Sequence, residues 1–224
     1  MSDYLSPIIE DFKDIITLLR KKEKHLQSNE INKQGEYTLS LLSNLISDID
    51  SLDMDNICQC LKFSINKETL VISLLASNAG GIIKQVVQVF PRSKENLLLE
   101  KKVILAEQLG LIGDAILQTA FHTYLSELPV EEIEFFSKSL LKRKISTIKG
   151  TYTELAKTLV SNENLEKLWK SWNIESLLGE YLKPSPVTHS RATIVEALVG
   201  MLFLQNRFRD IIAIIPNWIN LVQI

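Results

Sequence analysis

Glu107, Asp114 and Glu196 are the side chains whose type and spacing point to chemistry. Two of them lie in Glu107-Gln108-Leu109-Gly110-Leu111-Ile112-Gly113-Asp114-Ala115-Ile116-Leu117, the third in Arg191-Ala192-Thr193-Ile194-Val195-Glu196-Ala197-Leu198-Val199-Gly200. On a helix, positions 107, 110 and 114 share one face, and positions 193 and 196 share another. Two such helices brought together aim the three carboxylates at one spot. Clustered carboxylates repel one another unless a divalent cation lies between them. Hard cations such as Mg²⁺ take oxygen ligands of this kind, and a pair of such ions can drive phosphodiester hydrolysis.

The first segment resembles the ribonuclease III signature N-E-R-L-E-F-L-G-D-A-V-L, and the second is similar to that family's A-D-x-x-E-A-L-I-G helix. Order and flanks agree. Phe63-Ser64-Ile65-Asn66-Lys67-Glu68-Thr69-Leu70, with Leu74, looks like the family's F-x-x-x-x-L-L-x-x-A-L opening. Lys142 to Ala156 stands where the family has R-x-x-L-V-x-N-x-x-L-A. The resemblance runs from about residue 57 to the C-terminus and implies an all-α, ribonuclease III-like domain.

In the family, four acids hold metal, two from each motif, with an accessory Glu at the start of the first. The resemblance makes Glu107 the accessory Glu and Asp114 and Glu196 metal ligands, all three catalytic candidates. Gly110 stands where a ligand Glu belongs, and Thr193 where a ligand Asp belongs. Threonine coordinates only weakly and glycine not at all through a side chain. The expectation is therefore weak binding of Mg²⁺ or Mn²⁺ and reduced or absent cleavage. A glycine inside a helix points either to a close approach by something else or to a lost ligand. The resemblance also implies a partner, because the family dimerises through its first-motif helix. Leu109, Leu111, Ile112, Ile116 and Leu117 suit either partner packing or a core. A homodimer is expected, with a heterodimer possible. The family's usual double-stranded RNA-binding domain is expected to be absent.

Lys138, Lys142, Arg143, Lys144 and Lys149 form a basic stretch able to contact phosphates of structured or double-stranded RNA, or else a solvated helix face. The formal net charge is −2, so no global positive field marks a nucleic-acid binder. Cys58 and Cys60 are too few for a zinc site and poorly spaced for a disulfide. The three histidines are scattered, no nucleophile elbow appears, and Gly80-Gly81 lacks the Lys of a phosphate loop. Trp169 and Trp172 are expected in the core, and Trp218 at a subunit interface.

The elements that must position these residues read as helices. Gly and Pro are sparse, at eight and six, and apolar residues recur at helical spacing. Ser6-Pro7 is a helix start. Helices are expected near 8–24, 37–49, 70–76, 97–128, 130–149, 153–159, 162–172, 174–182, 191–205 and 209–222. Turns are expected at 78–81 and 183–186, and Pro216 is expected to kink or break the last helix. A polar break at 51–56 divides an N-terminal helical extension, 1–54, from a main domain, 55–224. The acidic N-terminus does not read as a signal or transit peptide, and no run approaches the ~18 apolar residues of a membrane span. A cytoplasmic protein of RNA metabolism follows, an RNA-binding scaffold of ribosomal or other kind. The alternatives are an active double-stranded RNA endonuclease and a helical interaction module.

Overall fold

The computed structural model describes residues 15–28, 33–90, 93–141 and 147–222. Its described residues form helices and no strand: α1 (Ile15–Gln27), α2 (Lys33–Asp50), α3 (Met54–Leu61), α4 (Lys67–Leu75), α5 (Asn78–Val89), α6 (Lys94–Ser126), α7 (Val130–Phe136), α8 (Ile148–Leu159), α9 (Asn162–Trp172), α10 (Thr188–Leu204) and α11 (Phe208–Val222). A π-helical turn, Ser137–Leu141, follows α7, and a 3₁₀ turn, Ile174–Leu177, follows α9. The all-α expectation holds. The Ser6-Pro7 helix start lies outside the described residues.

Helix α6 is the axis of the molecule. Ser93 caps it by accepting from the Asn96 N–H, and it then runs 33 residues without interruption, about 50 Å. It is long and apolar enough, by length and composition, to cross a membrane. Its buried side chains instead serve as a core, with Leu99, Val103, Ala106, Leu109, Leu117 and Phe121 packed among its neighbours. Helix α10 crosses it over the longest shared contact, and α4, α5 and α11 complete the surround.

Helices α1 and α2 share this core through Leu19, Leu42, Leu45 and Ile49. Polar contacts fix α2 to the rest. Lys67 Nζ donates to the Ile49 and Asp50 carbonyls at 3.1 and 3.4 Å, closing the C-terminus of α2 where unpaired carbonyls gather. Asp48 accepts from the Tyr181 N–H at 2.7 Å, and a Cβ on Gly179 would stand 2.1 Å from its Cγ. Only glycine permits that approach.

Four local expectations are corrected. The turn placed at 78–81 is the first turn of α5. Gly80 lies against the Leu75 carbonyl, where a Cβ would meet the oxygen at 2.0 Å. The chain turns instead at Ala76 and Ser77, bending by 73° between α4 and α5. The helix placed at 130–149 ends as a short α7 with its π turn, and a new helix starts at Ile148, capped by Thr147. The helix placed at 174–182 is a single 3₁₀ turn, because Asn173 adopts a left-handed φ of 53° that ends α9 and redirects the chain. Pro216 does not end α11. Its ring faces solvent, so the missing hydrogen bond falls on the hydrated side.

Trp169 and Trp172 lie in the core as expected. Trp218 does too, contrary to its placement at a subunit interface. It is fully buried and meets Phe121 edge-to-face, 4.8 Å between ring centres.

Candidate functional site

The site is the crossing of α6 and α10, and two glycines let the helices cross this closely. A Cβ on Gly113 would sit 1.8 Å from the Glu196 carbonyl oxygen, and one on Gly200 would sit 2.5 Å from the Leu109 carbonyl oxygen. Backbone therefore rests on backbone at both points. The start of α10 is held by a polar clamp. Arg191 donates through Nε to Glu175 Oε1 at 2.7 Å and through a terminal nitrogen to Glu166 at 3.2 Å. Trp169 Nε1 donates to the same Glu175 oxygen at 2.6 Å. The hydrogen bond from Arg191, more than any other contact, holds the Glu175 carboxyl below its usual range. This clamp joins α9, the 3₁₀ turn and α10, and so sets where Thr193 and Glu196 stand.

Positions 110, 193 and 196 come together as their spacing requires. A Cβ at Gly110 would lie 3.4 Å from Thr193 Cγ2 and 3.9 Å from Glu196 Oε2. These are ordinary van der Waals distances, so no close approach demands a glycine here. Gly110 thus differs from Gly113 and Gly200, and a close approach does not explain it. Thr193 spends its hydroxyl proton on the His189 carbonyl at 2.9 Å.

The three acids have different surroundings. Glu196 is half-buried, and burial first, then the Asp114 carboxylate, pushes its carboxyl up to about 7. Both Asp114 oxygens accept from Gln118 Nε2, at 3.3 and 3.2 Å. Glu107 faces outward and binds Lys84 Nζ of α5 at 2.5 Å. Among the described residues, no three His, Cys, Asp or Glu side chains are placed to hold one ion together.

Residues 107–207 match the family model of the Ribonuclease III domain. Over that segment the chain is similar to a ribonuclease III domain. No curated protein and no solved structure matches the chain. The matched segment opens at Glu107 and takes in both acid-bearing helices, and the likeness at Phe63 to Leu74 precedes it.

Ribonuclease III domains generally work with divalent metal, and the residues present here do not fit that role well. Gly110 and Thr193, where the resemblance expects acids, carry none, and Asp114 already accepts from Gln118. Of the basic stretch, Lys138 alone has a described side chain. Lys138 is exposed and within 3.8 Å of Glu134 one turn back, so the basic stretch has an acid beside it. Lys142, Arg143 and Lys144 lie outside the described residues, as does the Lys149 side chain. Sequence reading missed Lys84 and Gln118. Gln118 stands four residues after Asp114 on one helix, a spacing that signals contact. Lys84 lies on a separate helix, and nothing local connects it to Glu107.

The elevated Glu196 carboxyl carries a pH signature. Its folded value exceeds that of an unfolded Glu, so the folded chain binds the proton more tightly. The resulting stabilisation is complete below about pH 4 and is lost as pH rises through about 7. The melting temperature of the wild type should therefore fall by several degrees between pH 5 and pH 8, relative to Glu196→Gln, in paired melts read by circular dichroism. Parallel profiles would place Glu196 in water.

Proposed function

We propose that this ribonuclease III domain acts in RNA metabolism as a scaffold that holds structured or double-stranded RNA and cleaves it little or not at all. The observation carrying the reading is the contrast among the glycines of the helix crossing. Gly113 and Gly200 are required by backbone contact, whereas Gly110 occupies a ligand position with room for a side chain. The packing of the domain is kept and the metal ligation is not. An active Mg²⁺- or Mn²⁺-dependent endonuclease on Glu107, Asp114 and Glu196 would need ligands at Gly110 and Thr193 that the chain does not supply.

The RNA contact proposed is the basic stretch Lys138, Lys142, Arg143, Lys144 and Lys149, which would act on phosphates and need no metal. The partner proposed is a second copy, or a related chain, on the outer face of α6. Leu97, Ile104 and Leu111 are 56, 45 and 77% exposed there and stand seven residues apart, so they form one stripe. Of the apolar run weighed for packing, Leu109 and Leu117 belong to the core, while Leu111 faces out. The cytoplasm remains the proposed location.

A mobility-shift titration with a double-stranded RNA in EDTA tests the reading. Retention should persist without divalent metal and weaken steeply with salt. No shift at low salt would remove RNA holding from the function.

A further inference from the structure

Every acid of a metal site needs some compensating partner, and in this domain two have found one within the chain. Lys84 Nζ lies 2.5 Å from Glu107 Oε1, and Gln118 Nε2 reaches both oxygens of Asp114 at 3.3 and 3.2 Å. One partner comes from α5 and the other from α6 itself, so the two contacts arise independently. We propose that Lys84 and Gln118 take the place of a divalent cation at Glu107 and Asp114, so that these two carboxylates are compensated by protein groups and the domain folds and works without metal.

The chemistry of the two replacements differs. The Lys84 ammonium is a compact point charge with three donors, and it supplies to Glu107 the positive charge that a hard cation would supply. The Gln118 amide carries no charge but places its donor hydrogens against the carboxylate face that a metal would approach. A cation seeking Asp114 must first displace that amide, and one seeking Glu107 must displace an ammonium that repels it. The two residues thus oppose metal binding as well as replacing it. This goes a step past the loss of ligands at Gly110 and Thr193. It rests on the reading of the domain as non-cleaving, and it assigns a role to side chains outside the family's acid set.

The test is thermal melting of the intact chain in EDTA and in millimolar MnCl₂. Wild-type protein should melt at the same temperature in both. On a Gly110→Glu/Thr193→Asp background, Lys84→Ala with Gln118→Ala should melt lower in EDTA and gain more from MnCl₂ than the background does, because the uncovered carboxylates then join a fuller ligand set. A wild-type rise with MnCl₂ would overturn the proposal, as would equal gains in the variant and its background. Should that variant fail to fold, Gln118→Ser alone is placed on the same background, and Mn²⁺ affinity is read by calorimetry. Affinity should climb over that background, since the amide no longer competes with the ion for Asp114, and an unchanged value overturns the role of Gln118. These readouts involve no RNA, so they can fail while metal-free RNA retention stands, and the reverse holds equally.

Discussion

Gly110→Glu combined with Thr193→Asp should raise Mn²⁺ affinity about tenfold or more over wild type, because ligand number and charge set the affinity of oxygen-ligand sites. The geometry favours this outcome. A side chain grown from Gly110 meets only Thr193 Cγ2 at 3.4 Å and Glu196 Oε2 at 3.9 Å, so a carboxylate enters the cluster without moving a helix. An Asp at 193 would no longer give its side chain to the His189 carbonyl, which Thr193 now does at 2.9 Å. The two new charges join Asp114 and Glu196 and raise the repulsion among them. The metal-free variant should accordingly be less stable than wild type, with MnCl₂ restoring the loss. Calorimetric titration of Mn²⁺ into both proteins reads the effect. Equal affinities would mean that positions 110, 114, 193 and 196 do not converge.

Gly113→Ala should cost about 3 kcal/mol or more in urea unfolding, at the upper end of overpacking penalties. The added methyl would stand 1.8 Å from the Glu196 carbonyl oxygen, and the neighbouring atoms are backbone that cannot turn aside. Helices α6 and α10 would have to separate along their longest contact. Gly81→Ala provides the comparison on α5, where nothing lies within 4 Å. That change should stabilise the protein by up to about 1 kcal/mol through helix propensity alone. The two substitutions remove the same residue type and should move stability in opposite directions. A neutral Gly113→Ala would contradict the backbone-on-backbone crossing.

The shared faces within each helix were legible because they depend on helical period alone, whereas the meeting of the two faces is a tertiary contact that period does not supply. Spacings of three and four place 110 and 114 on one face and 193 and 196 on another, and the structure brings those faces together at Gly110, Thr193 and Glu196. Long-range partners were not legible. Lys84 reaches Glu107 from α5, a separate helix, and the two adjacent glycines before it read locally as a turn. The Ile174 to Leu182 segment has helical apolar spacing, yet its fate depends on Asn173 leaving the helix and on Glu175 being claimed by Arg191 and Trp169. Gly110 needed neighbours before it could be interpreted. Its sequence context admitted a close approach or a lost ligand, and the distances to Thr193 and Glu196 remove the first.

Incubation of the purified chain with long double-stranded RNA and Mg²⁺ or Mn²⁺, beside an Asp114→Asn control, separates holding from cleavage. The RNA should be retained with its length distribution unchanged, and wild type and control should behave alike. Cleavage by the wild type that disappears in Asp114→Asn would contradict the non-cleaving role and return the domain to the active endonucleases.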